Sequence, residues 1–151
     1  MPVNSTTFGF FHDSALTQPI SSPDVPADPK LTATQDTANV LAAVDKVIYL
    51  GSTSTTTKLQ AASNPGVDAI TVTPVDANAG TGAPATEFKL ALSSGGLAGA
   101  TAGAALILSA TITGGVANAI PIYTRRDSVL TTPGNYTDIT LESNSVVEVP
   151  I

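Results

Sequence analysis

The chain contains no cysteine and no tryptophan, and it has one histidine. Without cysteine there are no disulfide staples and no thiolate metal site, which fits folding in a reducing cytoplasm. A zinc site would have to rest almost wholly on carboxylates, an uncommon donor set. Charge is scarce too. Only 12% of the 151 residues are Asp, Glu, Lys or Arg, about half the ~25% of an ordinary soluble domain. Six basic against twelve acidic residues leave a net charge of −6. Only Arg125 and Arg126 are adjacent bases, and a surface that tracks phosphates needs a clustered basic stripe, so nucleic acid is not an expected partner. Long hydrophobic runs are also missing. The longest, Ala104 to Ala110, is strand-sized, well short of the roughly 18 apolar residues of a membrane span. No basic stretch precedes an apolar one near Met1-Pro2-Val3-Asn4, so no secretory signal is expected. The sequons at Asn4 and Asn135 are then chance matches.

Catalytic constellations are missing in the same way. His12 stands in Phe11-His12-Asp13-Ser14, but triad members converge from separate positions and not from adjacent ones. Glu87, Glu142 and Glu148 are the only glutamates, and no spacing singles out a carboxylate pair for glycoside hydrolysis. Asp76, Asn78 and Glu87 fall at calcium-loop spacing, but Thr81 stands where the turn needs glycine and Pro84 interrupts, so chance explains the match better. No glycine run is followed by the Lys-Ser/Thr of a phosphate loop. Tyr49, Tyr123 and Tyr136 are candidates for a sugar-stacking platform, although tyrosines of this number more often serve a sandwich core. No enzyme activity, cofactor or metal is expected.

What is present reads as β-structure. Hydrophobic residues make up 42% and aromatics 5%, so the core must be built from Val, Ile, Leu and Ala with a few aromatics. Residues 46–151 alternate with period two. Lys46 to Leu50, Lys58 to Ala62, Ile70 to Thr73, Glu87 to Leu92, Leu106 to Thr113, Ile120 to Arg125, Thr137 to Glu142 and Val147 to Ile151 read as strands. Phe88, Leu90 and Leu92 are expected inward, and so are Ile139 and Leu141. Asn64-Pro65-Gly66 reads as a type II turn, with proline and glycine where that turn needs them, and Pro133-Gly134 reads as another turn. The glycine-rich stretch from Gly95 reads as a loop. About seven or eight short strands with turn signals every ~10 residues are the signature of an all-β sandwich.

Residues 1–45 differ. They hold five of the eleven prolines, and Pro23, Pro26 and Pro29 recur at every third position. Each fixes its own φ and extends its predecessor, so an extended polyproline-like N-terminal arm is expected ahead of the sandwich domain. Gln35 to Val44 is the one helix candidate, with Val40, Leu41 and Val44 on one face. Phe8, Phe10 and Phe11 are too apolar for water, and with the three prolines they form the expected protein interface of the arm. Val147 and Val149, on a last strand that could pair at a sheet edge, complete the set of expected interface residues.

Several runs carry a resemblance: Ala102-Gly103-Ala104-Ala105-Leu106-Ile107-Leu108, Ile112-Thr113-Gly114-Gly115, and Ala119-Ile120-Pro121-Ile122-Tyr123-Thr124-Arg125, together with the opening Phe8-Gly9-Phe10-Phe11-His12-Asp13-Ser14. These runs resemble small virion structural proteins of tailed bacteriophages, and residues 46–126 look like their immunoglobulin-like modules. The resemblance implies an immunoglobulin-like sandwich in a capsid decoration (cement) protein, or else in a tail or baseplate module that recognises a host-surface carbohydrate or receptor. It implies the major capsid protein or other virion subunits as partners, a homodimer or homotrimer on the particle, and location in the virion. It supplies no catalytic residue.

Overall fold

The structure is a computed structural model that describes residues 7–21, 32–37, 44–76, 85–126 and 136–151. Among the described residues twelve strands follow one another: β1 (Phe8–Phe11), β2 (Pro19–Ser21), β3 (Thr32–Thr37), β4 (Val44–Ser52), β5 (Thr57–Ala61), β6 (Thr71–Asp76), β7 (Phe88–Ala91), β8 (Leu106–Ile107), β9 (Thr111–Thr113), β10 (Ile120–Arg126), β11 (Tyr136–Ser143) and β12 (Val146–Pro150). All their pairings are antiparallel. They form a five-stranded sheet of order β2-β1-β4-β10-β7, a four-stranded sheet of order β3-β11-β6-β8 and a three-stranded sheet of order β12-β5-β9. The protein is an all-β sandwich.

The two smaller sheets are halves of one folded sheet. β11 runs on into β12, β5 into β6 and β8 into β9, and these three paths stand in the same order on both sides of the bend. Hydrogen bonds carry the ladder round the corner. Ala62 N–H donates to Ser145 O (2.9 Å), Asn144 N–H to Thr71 O (3.1 Å), Leu108 N–H to Ile70 O (2.8 Å) and Ile70 N–H to Ser109 O (3.2 Å). Leu108 and Ser109 together oppose Ile70, which is a β-bulge, and a bulge bends its strand. One continuous strand over Leu106 to Thr113 was expected, and this bulge is why there are two. Asn144 fastens the corner with its side chain. Its Oδ1 accepts from Thr71 N–H and its Nδ2 donates to Ala69 O, both at 3.0 Å. Between Ala62 and Ile70 the middle path leaves the ladder through the expected turn. Val67 N–H donates to Asn64 O (3.1 Å), and Gly66 has φ +80°, the sign a type II turn needs at that position.

One core lies between the five-stranded sheet and the folded one. Phe8, Phe10, Ile48, Leu50, Leu90 and Ile122 meet Leu59, Ile70, Val72, Leu108, Ile112, Leu141 and Val146. Burying each of these larger side chains stabilises the fold by about 1.5–3 kcal/mol.

The N-terminal third corrects the expected division at residue 45. β1 is no arm. It lies inside the five-stranded sheet between β2 and β4, with Phe8 opposite Ser52 and Phe10 opposite Leu50. β3 belongs to the four-stranded sheet, where Thr34 faces Thr140 and Gln35 faces Ile139. Gln35 to Thr37 are therefore strand and not helix. The pairing with β11 and the β-preferring threonines outweigh the short apolar face, while residues 38–43 lie outside the described residues. The strand expected from Glu87 begins at Phe88, because Ala85–Glu87 is a 3-10 turn. Leu92 was expected inward with Phe88 and Leu90, but β7 ends at Ala91 and Leu92 is 50% exposed.

Candidate functional site

The expected interface residues separate. Phe8 and Phe10 are 2% and 0% exposed, so both are core residues and not docking residues. Their hydrophobicity is satisfied inside the chain. Phe11, the next residue along β1, points to the other face and is half-buried. Pro23, Pro26, Pro29 and the turn at Pro133-Gly134 lie outside the described residues. Val147 and Val149 are half-buried on β12, while Val146 and Glu148 alternate with them toward the interior. β12 stands at the end of its sheet's strand order, where a strand offers its backbone to a neighbour or must be protected from one. Thr7 donates to the buried Glu148 carboxylate through its hydroxyl, and its N–H lies 3.4 Å from Oε2.

The groups weighed for chemistry are occupied by structural work. His12 is exposed at the start of the β1–β2 loop. Asp13 closes that loop. It accepts from Thr17 N–H (3.0 and 3.2 Å), the Thr17 hydroxyl (2.8 Å) and Gln18 N–H (2.8 Å). Partial desolvation pushes the Asp13 carboxyl up, but the bonds from Thr17 and Gln18 outweigh it and hold it below the ordinary aspartate value. Asp45 is also held low. Two hydrogen bonds from the Arg125 guanidinium, Nε to Oδ1 at 2.7 Å and Nη2 to Oδ2 at 2.8 Å, outweigh desolvation, and the cation's field adds to them. Glu87, of the calcium-loop spacing, accepts from buried Arg126. Asn78 lies outside the described residues. Among the described residues no group of three or more His, Cys, Asp or Glu is placed to hold a metal ion.

Two surfaces emerge that sequence reasoning did not single out. The first is the exposed part of a stretch of chain free of charge: between Lys89 and Arg125 there is no Asp, Glu, Lys, Arg or His. This stretch supplies three exposed large apolar side chains, Leu92 at 50%, Ile107 at 67% and Val116 at 44%. The gap between charges is legible in the sequence, but the exposure is not, because period-two alternation alone cannot say which face is wet.

The second is the outer face of the five-stranded sheet. Ile48, Leu50 and Ile122 point into the core, so Val47, Tyr49, Pro121 and Tyr123 point away from it. Cross-strand register aligns Pro19, Phe11, Tyr49 and Pro121 in one row over β2, β1, β4 and β10. The next row sets Val47 beside Tyr123, and the next sets Asp45, Arg125 and Lys89 side by side. Tyr49 and Tyr123 were candidates for a platform, and here they share a face. Phe11 joins them through strand pairing that spacing alone did not show. The side chain of Tyr136 lies outside the described residues. No protein-family model, no curated protein and no solved structure matches the chain.

Proposed function

We propose that this chain is a non-enzymatic, subunit-binding β-sandwich of immunoglobulin-like type, working in the virion of a tailed bacteriophage as a capsid decoration (cement) protein that binds and stabilises the coat lattice. The observation that carries the subunit-binding part is the stretch of chain between Lys89 and Arg125, which is free of charge and exposes Leu92, Ile107 and Val116. Charges on a surface keep a protein apart from its neighbours, and a surface without them is suited to permanent contact. The virion part rests on the resemblance of the Ala102–Leu108, Ile112–Gly115 and Ala119–Arg125 runs to small phage structural proteins. Val147 and Val149 on the terminal strand β12 offer a further contact, by strand addition. Cement acts by mass action, since a ligand that binds only the assembled shell raises the shell's stability.

A second reading, a tail or baseplate module recognising a host-surface carbohydrate, is favoured by one observation: Phe11, Tyr49 and Tyr123 share the outer face of the five-stranded sheet. Particles lacking the protein decide between the two. Under the cement reading they burst at lower temperature or weaker osmotic shock while still adsorbing to cells. Full physical stability with lost adsorption overturns that reading in favour of the tail module.

A further inference from the structure

Among the described residues Leu16 is the one non-glycine residue with a positive φ, +57°. In that left-handed region the Cβ of an L residue crowds the following carbonyl oxygen, so a leucine there is strained. Leu16 is also the one buried residue of the β1–β2 loop, while Ser14, Ala15, Thr17 and Gln18 are exposed. It stands outside the core between the sheets. Its side chain lies over β4 instead. A Cβ added at Gly51 would meet Leu16 Cδ1 at 3.0 Å, Ala119 Cα at 3.3 Å and Ala119 Cβ at 3.4 Å. The missing side chain of Gly51 and the small one of Ala119 thus make a socket that Leu16 fills. A strained conformation persists where its surroundings over-determine it, and Leu16 has two fastenings. One is the socket. The other is Asp13, whose carboxylate accepts from the N–H groups of Thr17 and Gln18, the two residues after Leu16, and from the Thr17 hydroxyl.

We propose that residues 12–18 are an acid-released latch, in which protonation of Asp13 lets Leu16 relax out of the Gly51–Ala119 socket while the sandwich stays folded. The latch is independent of the subunit-binding reading. Hydrogen bonds to an ionised carboxylate are stronger than those to a neutral one, so the proton removes most of what Asp13 contributes. Two backbone bonds then remain across the loop, His12 N–H to Gln18 O and Leu16 N–H to Asp13 O. Against them stands the strain at Leu16, which opening relieves. Nothing else need give way: β1 keeps its ladder with β4, and Phe8 and Phe10 stay in the core. Loops open in this way as local units, below the free energy of global unfolding. The direction follows from linkage. Burial tends to raise the Asp13 carboxyl, but the bonds from Thr17 and Gln18 outweigh it and hold it below its ordinary value, 3.8. The closed latch is therefore favoured fully above that value and loses its advantage as the pH falls through the lower, folded one. The elements packed around the loop bring no other Asp, Glu, Lys or Arg to it: β2, the stretch from Gly51 to Thr57 and residues 114–122 have none. The remaining titratable groups are His12 in the loop, Tyr49 beside Phe11, and Glu148, which lies by Thr7 at the far end of β1.

The test is nuclear magnetic resonance of the full-length protein, titrated from neutral pH down to about pH 2. Three signals are followed: the Overhauser contact between a Leu16 methyl and the Gly51 α-protons, the Asp13 carboxyl, and exchange of the Leu50 amide as a reference for the core. The contact should vanish together with the Asp13 titration, while Leu50 stays protected. His12→Ala should leave that transition where it is. Coupling between two sites is reciprocal, so disturbing the socket must act back on Asp13. Gly51→Val, which fills the socket from β4 without touching the loop, should move the Asp13 titration up toward 3.8. It should also speed exchange of the Thr17 amide at least tenfold at neutral pH. Leu16→Ala, which empties the socket and leaves β4 intact, should act in the same direction. A contact that survives the titration of Asp13, or one lost only when Leu50 loses protection, overturns the inference. So does a transition that His12→Ala abolishes, or an Asp13 titration that neither Gly51→Val nor Leu16→Ala moves.

Discussion

The Arg126 guanidinium lies 2.9 Å from the Glu87 carboxylate, with both side chains buried, at 4% and 0% exposure. Arg126 ends β10, and Glu87 sits in the turn just before β7, whose Phe88 faces Arg126 across the ladder. The pair pins the edge strand β7 to the sheet. Removing one partner breaks a buried ion pair, so Arg126→Met and Glu87→Gln should each lower stability, by about 3–5 kcal/mol. Replacing both with apolar residues of similar size should recover most of the loss. Urea midpoints of the two single variants and the double variant measure this, and a double variant as weak as the singles would show that the pair itself is needed.

Ser109 guards the edge of the folded sheet. Gly114 N–H donates to Thr57 O at 2.9 Å, so alternation turns the backbone groups of Thr111 away from β5. Ser109 Oγ accepts from Thr111 N–H at 3.1 Å and donates to Thr111 O, occupying both. Ser109→Ala should cost only about 1 kcal/mol of stability but open an uncharged edge to other chains. Light scattering at rising concentration should show the variant forming larger particles than the parent.

Gly114 is required by its neighbours. A Cβ there would sit 2.1 Å from Ser54 O and 2.9 Å from Thr57 O, both backbone atoms. Gly114→Ala should therefore destabilise by about 3 kcal/mol or more. At Gly95 a Cβ meets nothing within 4 Å, so Gly95→Ala should stay within about 0.5 kcal/mol. Thermal unfolding of the two variants side by side checks the contrast.

The β1–β2 loop should loosen in acid. Asp13 is held below its ordinary value, 3.8, in the folded chain. A depressed carboxyl contributes stability above its unfolded value and loses it as the pH falls through its folded one. Amide exchange at Thr17 and Gln18 should accelerate only below that ordinary value. Asp13→Ala should show fast exchange at every pH.

Much of the fold was legible because β-strands advertise themselves by alternation. Ile70 and Val72, Phe88 and Leu90, and Ile120 and Ile122 all face as their spacing predicts. What escaped was set by partners distant in sequence. Phe8 and Phe10 look like a sticky arm until β4 is placed beside them. Leu108 and Ser109 look like mid-strand residues until both are seen to oppose Ile70. Glu87 reads as a strand residue with a spare carboxylate until Arg126 reaches it. Of the surfaces, only the gap between charges is visible in the sequence. The aromatic row depends on four strands meeting in register, and no spacing within one strand encodes that.

The tie between Thr7 and Glu148 spans 141 positions of the chain. A ribosome releases Phe8 and Phe10 well before Leu141 and Val146, yet all four share one core. Until Val146 emerges, the first strand has no complete surface to bury against, so its phenylalanines wait exposed. Folding of this core then waits until β12 has emerged and proceeds slowly, as it does when most contacts are distant in sequence. During that interval the nascent chain is a natural client for a chaperone.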